Sequence, residues 1–224
     1  MKLRHEFKHI INYGDYLLLK SRLEKILERD ANADAHGEYR VRSLYFDDPF
    51  DAALKDKING VERREKFRLR CYNEDFTAIR LEKKTKLSGM GQKKSVRLSR
   101  EETEAILLGR IDFLLFRKDD LLIEFYSKYK GRLLRPKTIV EYIREPFVYT
   151  PGNVRITLDR DIRTGLYSRN FFEENPLYMP SGDAFAVLEI KYDNFLPEFV
   201  AKAVQIGDRR AAAFSKYAMS RKYD

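Results

Sequence analysis

Alternation and helical stripes divide the chain almost end to end. Residues 3–12 place Arg4, Glu6 and Lys8 on one side and His5, Phe7, His9 and Ile11 on the other, which predicts a strand. Residues 15–29 carry Leu17, Leu18, Leu19, Leu23, Ile26 and Leu27 among charges, the stripe of an amphipathic helix. Residues 39–47 form a second strand, and a connection over 48–60 has room for one helical turn before the Asn59-Gly60 turn signal. Residues 61–72 set Glu62, Arg64, Lys66, Arg68 and Arg70 against Val61, Phe67, Leu69 and Cys71. Residues 77–86 set Arg80, Glu82, Lys84 and Lys86 against Ile79 and Leu81, so these two runs predict a hairpin. Residues 92–98 follow a glycine-rich turn as a fifth strand with Lys93 and Arg97 on one face. Ser99 and Glu102 form a capping box that opens a helix over 99–108. A helix over 119–133 precedes strands over 137–144 and 154–160. A long loop over 164–182 leads to an eighth strand over 185–193, with Glu189 and Lys191 on one face, and short helices over 197–206 and 210–222 close the chain. There is no repeat and no linker, so one domain spanning 1–224 is expected.

Charged strand faces are ordinarily the solvent faces of an antiparallel sheet. Here at least six of the eight expected strands carry a basic face, and Glu6, Glu82 and Glu189 stand among the basic residues. Eight strands can close into a barrel just wide enough for side chains or one small ligand. If the charged faces turn inward, the apolar faces turn outward and need cover, which the five helices can supply. The expected fold is therefore α+β: a closed eight-stranded antiparallel tunnel barrel with a charged lumen and a helical jacket.

Composition narrows what such a lumen holds. The 224 residues include 44 Lys+Arg and 35 Asp+Glu, a net charge of +9, and 35% are charged against an average of about 25%. The 15 Phe and 14 Tyr argue against disorder. No run approaches the roughly 18 apolar residues of a membrane span. One cysteine excludes an intramolecular disulfide and a thiolate cluster, and a cytoplasmic protein is expected. Converging, unpaired Lys and Arg repel and are costly to bury, so an anion belongs among them. Arginine forks suit phosphate oxygens, and the carboxylates can share a divalent metal with phosphates.

Seven segments in order resemble the VTC domain, the catalytic domain of the vacuolar transporter chaperone family, within the triphosphate tunnel metalloenzymes. They are Arg4-His5-Glu6-Phe7-Lys8 (a variant of E-x-E-x-K), Ser43-Leu44-Tyr45-Phe46-Asp47, and Lys66-Phe67-Arg68-Leu69-Arg70-Cys71-Tyr72 with Glu82-Lys83-Lys84-Thr85. Tyr142-Ile143-Arg144 with Phe147, Arg155-Ile156-Thr157-Leu158-Asp159, Leu188-Glu189-Ile190-Lys191 and Phe214-Ser215-Lys216-Tyr217 complete the set. The resemblance implies transfer of the γ-phosphoryl of ATP to a growing polyphosphate chain, with Mn²⁺ or Mg²⁺. It implies phosphate binding by Lys8, Lys66, Arg68, Arg70, Lys84, Lys93, Arg144, Arg155, Lys191 and Lys216. Arg68, Arg70, Arg155 and Lys84 would act directly in catalysis. Glu189 would be the principal metal ligand, with Glu6 and Glu82 as further candidates. Two positions depart from the family pattern: Ala213 and Ser95 stand where a further basic residue is often found. A membrane-protein partner and the oligomeric state are left open.

Other chemistries are less well supported by the residues. His5, His9 and His36 have no metal-ligand spacing with cysteine, Cys71 shares a face with Phe67 and Leu69, and Gly89 and Gly91 are not followed by G-K-[ST]. Three alternatives to polymerisation are triphosphate hydrolysis in the same tunnel, a non-catalytic polyphosphate or inositol-polyphosphate binding module, and nucleic-acid binding. The basic residues follow strand parity and form no surface run, which disfavours the last.

Overall fold

The computed structural model describes residues 4–207 and 214–222. In chain order these form β1 (His5–Ile11), α1 (Tyr13–Ile26), β2 (Glu28–Arg29), β3 (Tyr39–Asp47), α2 (Ala52–Ile58), β4 (Arg64–Tyr72), β5 (Ile79–Leu87), β6 (Met90–Leu98) and α3 (Arg100–Leu107). A 3-10 helix (Asp112–Arg117), α4 (Asp120–Gly131), β7 (Arg135–Tyr149), β8 (Val154–Thr164), β9 (Met179–Pro180), β10 (Ala186–Tyr192), α5 (Glu198–Ala203) and α6 (Lys216–Ser220) follow. Local chemistry sets the helix starts. Asn12 and Asp15 exchange side-chain and backbone hydrogen bonds ahead of α1, and Ser99 and Glu102 do the same ahead of α3. The connection after β3 holds two helical turns, because Asp47 accepts from the backbone N–H of Ala53 and Leu54 and so caps α2 from the end of the strand.

One antiparallel sheet runs in the order β1-β10-β8-β7-β3-β4-β5-β6, with the two-residue strands β2 on β7 and β9 on β8. The expected eight strands make the main path. The expected closure is not met: the sheet is a curled half-barrel, open between β1 and β6. Its two edges touch at one bridge, where Arg4 and Gly91 exchange backbone hydrogen bonds of 3.2 and 3.1 Å. Closure needs tilt and stagger to bring both edges into register over several residues. Here one pair is in register, and the next contact across the seam is between side chains, with Lys84 Nζ 2.8 Å from Glu6 Oε1. A Cβ on Gly91 would lie 3.2 Å from Glu6 Oε2, so a larger residue would press on that contact.

The apolar faces do point outward. Leu44, Phe46, Phe67, Leu69, Ile79 and Leu81 pack beneath Ile106 of α3 and Leu122 and Phe125 of α4. Ile156, Leu158, Leu188 and Ile190 pack beneath Leu19 and Leu23 of α1 and Val200 of α5. The outer face also buries charge: Arg42, 1% exposed, donates to Glu141 (2.8 Å), Glu74 (2.6 Å) and the carbonyls of Phe171 and Glu173, tying the long loop after β8 to the sheet. The last helix departs from the jacket expected of it. Its described part, α6, lies on the concave side, where Tyr217 and Phe214 cluster with Val41, Tyr45, Val140, Tyr142 and Val187. The reason is polar as well as apolar: Lys216 reaches Asp159 at 2.5 Å, and the Tyr217 hydroxyl donates to Asp47 at 2.7 Å. Ala213 lies outside the described residues.

Candidate functional site

Strand register decides what meets on the concave face. Lys8 stands opposite Glu189 and Glu6 opposite Lys191 across β1 and β10. Lys191 stands opposite Arg155 across β10 and β8, and Arg144 opposite Asp159 across β7 and β8. On the far side Ser43 and Tyr45 of β3 face Arg70 and Arg68 of β4, Arg68 faces Glu82 and Lys66 faces Lys84 of β5, and Lys84 faces Lys93 of β6. The ten sequence-predicted phosphate ligands thus all lie on the concave face: nine on its strands, and Lys216 at the start of α6.

Two cavities occupy the concavity, and the Glu6–Lys84 pair borders both. The inner rim of one, about 1120 Å³, is basic: Arg68, Arg70, Arg144, Arg155, Lys93 and Lys191. Its remaining wall includes the rings of His5, Tyr39 and Tyr72. The other, about 670 Å³, is lined by Lys57 of α2, Arg64, Lys66 and Lys86, with Lys8 and the start of the last segment at Phe214 and Ser215.

In the larger cavity the cations are balanced. Glu82, fully buried, accepts from Arg68 Nε at 2.8 Å and Nη2 at 2.6 Å and from Lys93 Nζ at 2.9 Å, with Arg70 Nη1 at 3.8 Å. Arg70 also donates to the hydroxyls of Ser43 (3.0 Å) and Tyr142 (3.2 Å). Arg144 makes a two-pronged pair with Asp159 at 2.6 and 2.7 Å, the geometry in which guanidinium and carboxylate bind best. Arg155 reaches Asp30 and the Tyr39 hydroxyl, each at 2.7 Å. Lys191 pairs with Glu189, and Lys8 lies between two carboxylates, 3.0 Å from Glu6 and 3.3 Å from Glu189.

Crowding shifts these groups in both directions. Burial would raise the Glu6 and Glu82 carboxyls. Lys84, Lys8 and Lys191 around Glu6, and Arg68, Arg70 and Lys93 around Glu82, hold both far below the usual range instead. Burial, reinforced by neighbouring Lys8 and Arg68, pushes Lys84 down to about 8. Burial with Arg144 and Lys8 does the same for Lys216, also to about 8, against the pull of Asp159. Lys66 falls to about 7 through burial and the charges of Lys84, Lys8 and Arg68. The Tyr45 phenol, which burial alone would raise, is brought down to about 7 by Arg68, Lys66 and Arg70. A polyanion among these cations reverses the repulsion and restores their protons.

A divalent cation has a restricted place here. Among the described residues no three His, Cys, Asp or Glu converge as a metal cage. Glu6 and Glu189 come together through Lys8, whereas Glu82 is filled by two cations. Two carboxylates suit a Mg²⁺-like ion that takes its other ligands from phosphates and water. Cys71 is fully buried and its thiol is pushed up to about 12, chiefly by burial, so it is not a nucleophile.

Several site residues escaped sequence reasoning. Asp159 is fully buried and anchors both Arg144 and Lys216. Its parity with Arg155 and Thr157 was visible, but its partners come from elsewhere in the chain. Tyr45, Ser43 and Tyr39 share alternate positions of β3, where a mixed polar strand gave no face to choose. Asp30 and Lys57 come from outside the main strands, and no periodicity marks them. Ser95 stands opposite Glu82 on an exposed stretch of β6.

A curled antiparallel sheet with arginine forks on its concave face and helices on its convex face defines a polyanion-binding half-barrel. The VTC domain family model matches residues 3–223, and the chain belongs to that family. Among solved structures it resembles the HpAC1 protein from Hippeastrum, described as having a dominant triphosphatase activity, with a TM-score of 0.57 at 14% identity over 99% of this chain and 95% of that one. It also resembles the PH1012 protein from Pyrococcus horikoshii OT3, with a TM-score of 0.52 at 15% identity over 96% of this chain and 98% of that one. At such identities the likeness is one of fold. No curated protein matches significantly in sequence. No helix among the described residues is long and apolar enough to cross a membrane.

Proposed function

We propose that the lumen binds the triphosphate of ATP and transfers its γ-phosphoryl to a growing inorganic polyphosphate chain. The observation that carries this reading is the set of four guanidinium groups, Arg68, Arg70, Arg144 and Arg155, around one cavity, with Lys84 at its border. Phosphoryl transfer asks a protein for positioning and for neutralisation of spreading charge more than for covalent chemistry. Arg68, Arg70 and Arg155 bind and orient the phosphates as preorganised forks. Their carboxylate and hydroxyl partners fix the guanidinium planes before the substrate arrives. Lys84, Lys8 and Lys66 gain protons as the anion enters. Lys191, Lys93 and Lys216 complete the positive wall.

Glu189 with Glu6 would hold Mn²⁺ or Mg²⁺, which when bound to the phosphates withdraws charge from the γ-phosphorus. Glu82 serves instead as the counter-charge that holds Arg68 and Lys93. The acceptor, a terminal polyphosphate oxygen, is already an anion at neutral pH, so no general base is assigned. Hydrolysis of a triphosphate in the same lumen is the second reading, favoured by the activity described for the Hippeastrum neighbour.

Incubation with ATP and Mn²⁺, with chain length and orthophosphate release read together, separates the two. Long chains with little orthophosphate support the polymerase, and orthophosphate alone supports the hydrolase. Wild-type ATP turnover in both Arg70→Ala and Glu189→Ala would remove the reaction from this lumen.

A further inference from the structure

The smaller cavity has a charge balance unlike that of the larger one. Lys57, Arg64, Lys66 and Lys86 line it. Among the described residues none of the four forms an ion pair with a carboxylate: Lys66 reaches only the Ser215 hydroxyl at 3.5 Å, and Arg64 only the Val61 carbonyl at 2.6 Å. The two carboxylates on its wall are already engaged, Glu65 by Lys83 and Lys128 and Glu6 by Lys84 and Lys8. Arg64 and Lys86 are direct cross-strand partners, an arrangement of like charges that weakens a sheet. Burial together with each other's charge and that of Arg64 holds the Lys57 and Lys86 ammonium groups below their ordinary range. Folding alone gains nothing from this cluster, whereas a bound polyanion would.

The rest of the wall points to the kind of anion. The larger cavity offers tyrosine and histidine rings that a nucleoside can use; the smaller one offers Ala53, Phe214 and Ser215 beside its cations. We propose that the smaller cavity is a separate subsite for linear polyphosphate, holding the stretch of chain beyond the three phosphates of the transfer site, with Lys57, Arg64 and Lys86 as its ligating side chains. This rests on the reading that the larger cavity binds the triphosphate. A chain long enough to occupy both passes the Glu6–Lys84 pair that borders them, with Lys84 and Lys8 exchanging Glu6 for phosphate oxygens. Binding therefore strengthens with chain length past the triphosphate, through residues that do not touch ATP.

Titration calorimetry of tripolyphosphate, ATP and a medium-chain linear polyphosphate against the wild type, Lys57→Ala/Lys86→Ala and Lys57→Arg/Lys86→Arg tests this. The wild type is expected to bind the medium chain more tightly than tripolyphosphate. The alanine pair is expected to lose about tenfold or more for the medium chain, since charge-assisted hydrogen bonds are removed. It should lose less than about threefold for tripolyphosphate and ATP, because screening limits the reach of the lost charges. The arginine pair should restore the length dependence. Equal losses for all three ligands, or no loss for the medium chain, would overturn the subsite. So would a wild type that binds tripolyphosphate with no gain from a longer chain, and that result leaves the triphosphate reading standing. A wild type that binds neither ATP nor tripolyphosphate overturns both.

Discussion

The two cavities of one lumen hold similar densities of Lys and Arg and treat them oppositely. In the larger, Glu82, Asp159, Glu189 and Asp30 each accept a fixed cation, so the arginines are aimed before any ligand binds. In the smaller, Lys57, Arg64, Lys66 and Lys86 face one another without a carboxylate among the described residues. Pairing gives geometry at the expense of charge left over for the ligand; leaving cations unpaired does the reverse. The first arrangement suits a reaction centre, where orientation of forks matters. The second suits retention of a flexible anion, where summed charge matters more.

That contrast can be broken most sharply at Glu82. Glu82→Gln leaves Arg68, Lys93 and Arg70 around a neutral amide at a fully buried position. Removing one partner of a buried pair costs about 3–5 kcal/mol, read as a lower urea midpoint. In the opposite cavity Lys86→Ala should leave the midpoint of the empty protein unchanged or raise it, because it removes a repelling charge. Equal destabilisation by both would erase the distinction.

Next in size is Arg68→Ala, expected to lower turnover about 10²-fold in steady-state assays with ATP. Arg64→Ala should leave turnover of ATP alone within a few-fold and act on chain-length dependence. If Arg64→Ala matched Arg68→Ala, the lumen would be one undivided site.

The smallest effect is on pH. In the empty lumen Lys66 titrates near 7 and Lys84 and Lys216 near 8. A bound polyanion raises all three, so binding takes up protons wherever the free group is already neutral. Affinity for tripolyphosphate should therefore weaken as pH rises from about 7 to 9. Calorimetry in buffers of different ionisation enthalpy should show net proton uptake. The carboxylates have the opposite sign. Glu6, Glu82 and Asp159 are held low in the fold, so their contribution to stability is present above the ordinary carboxylate range. It is lost only in strong acid, as pH falls through their depressed values. Net proton release on tripolyphosphate binding near pH 8 would contradict the crowding argument.

Much of the lumen was legible because strand parity is a local property. Lys66, Arg68 and Arg70 share a face wherever the strand goes, and Leu69 and Cys71 must share the other. Parity does not say which strands are neighbours. It therefore missed Asp159 as the joint anchor of Arg144 and Lys216, and Glu82 as the counter-charge to Arg68 and Lys93. The last helix shows the same limit. Its apolar residues called for burial, and the sequence alone left open whether they met the outside of the sheet or Tyr45 and Tyr142 within it. The edge contact between β1 and β6 depends on the accumulated twist of eight strands, and no single stretch of sequence encodes that sum.

Local alternation determined that this chain carries basic residues and a few carboxylates on one side of its strands and apolar residues on the other. That pattern, with the ordered motifs, is why the chain could be placed in the VTC domain family before its fold was seen. Tertiary structure alone decided how those charges pair, because ion pairs here join residues far apart in sequence, such as Glu6 with Lys84 and Arg155 with Asp30. Folding divided one basic lumen into a balanced chamber and an unbalanced one, since Coulomb energy depends on distances that only the folded sheet sets.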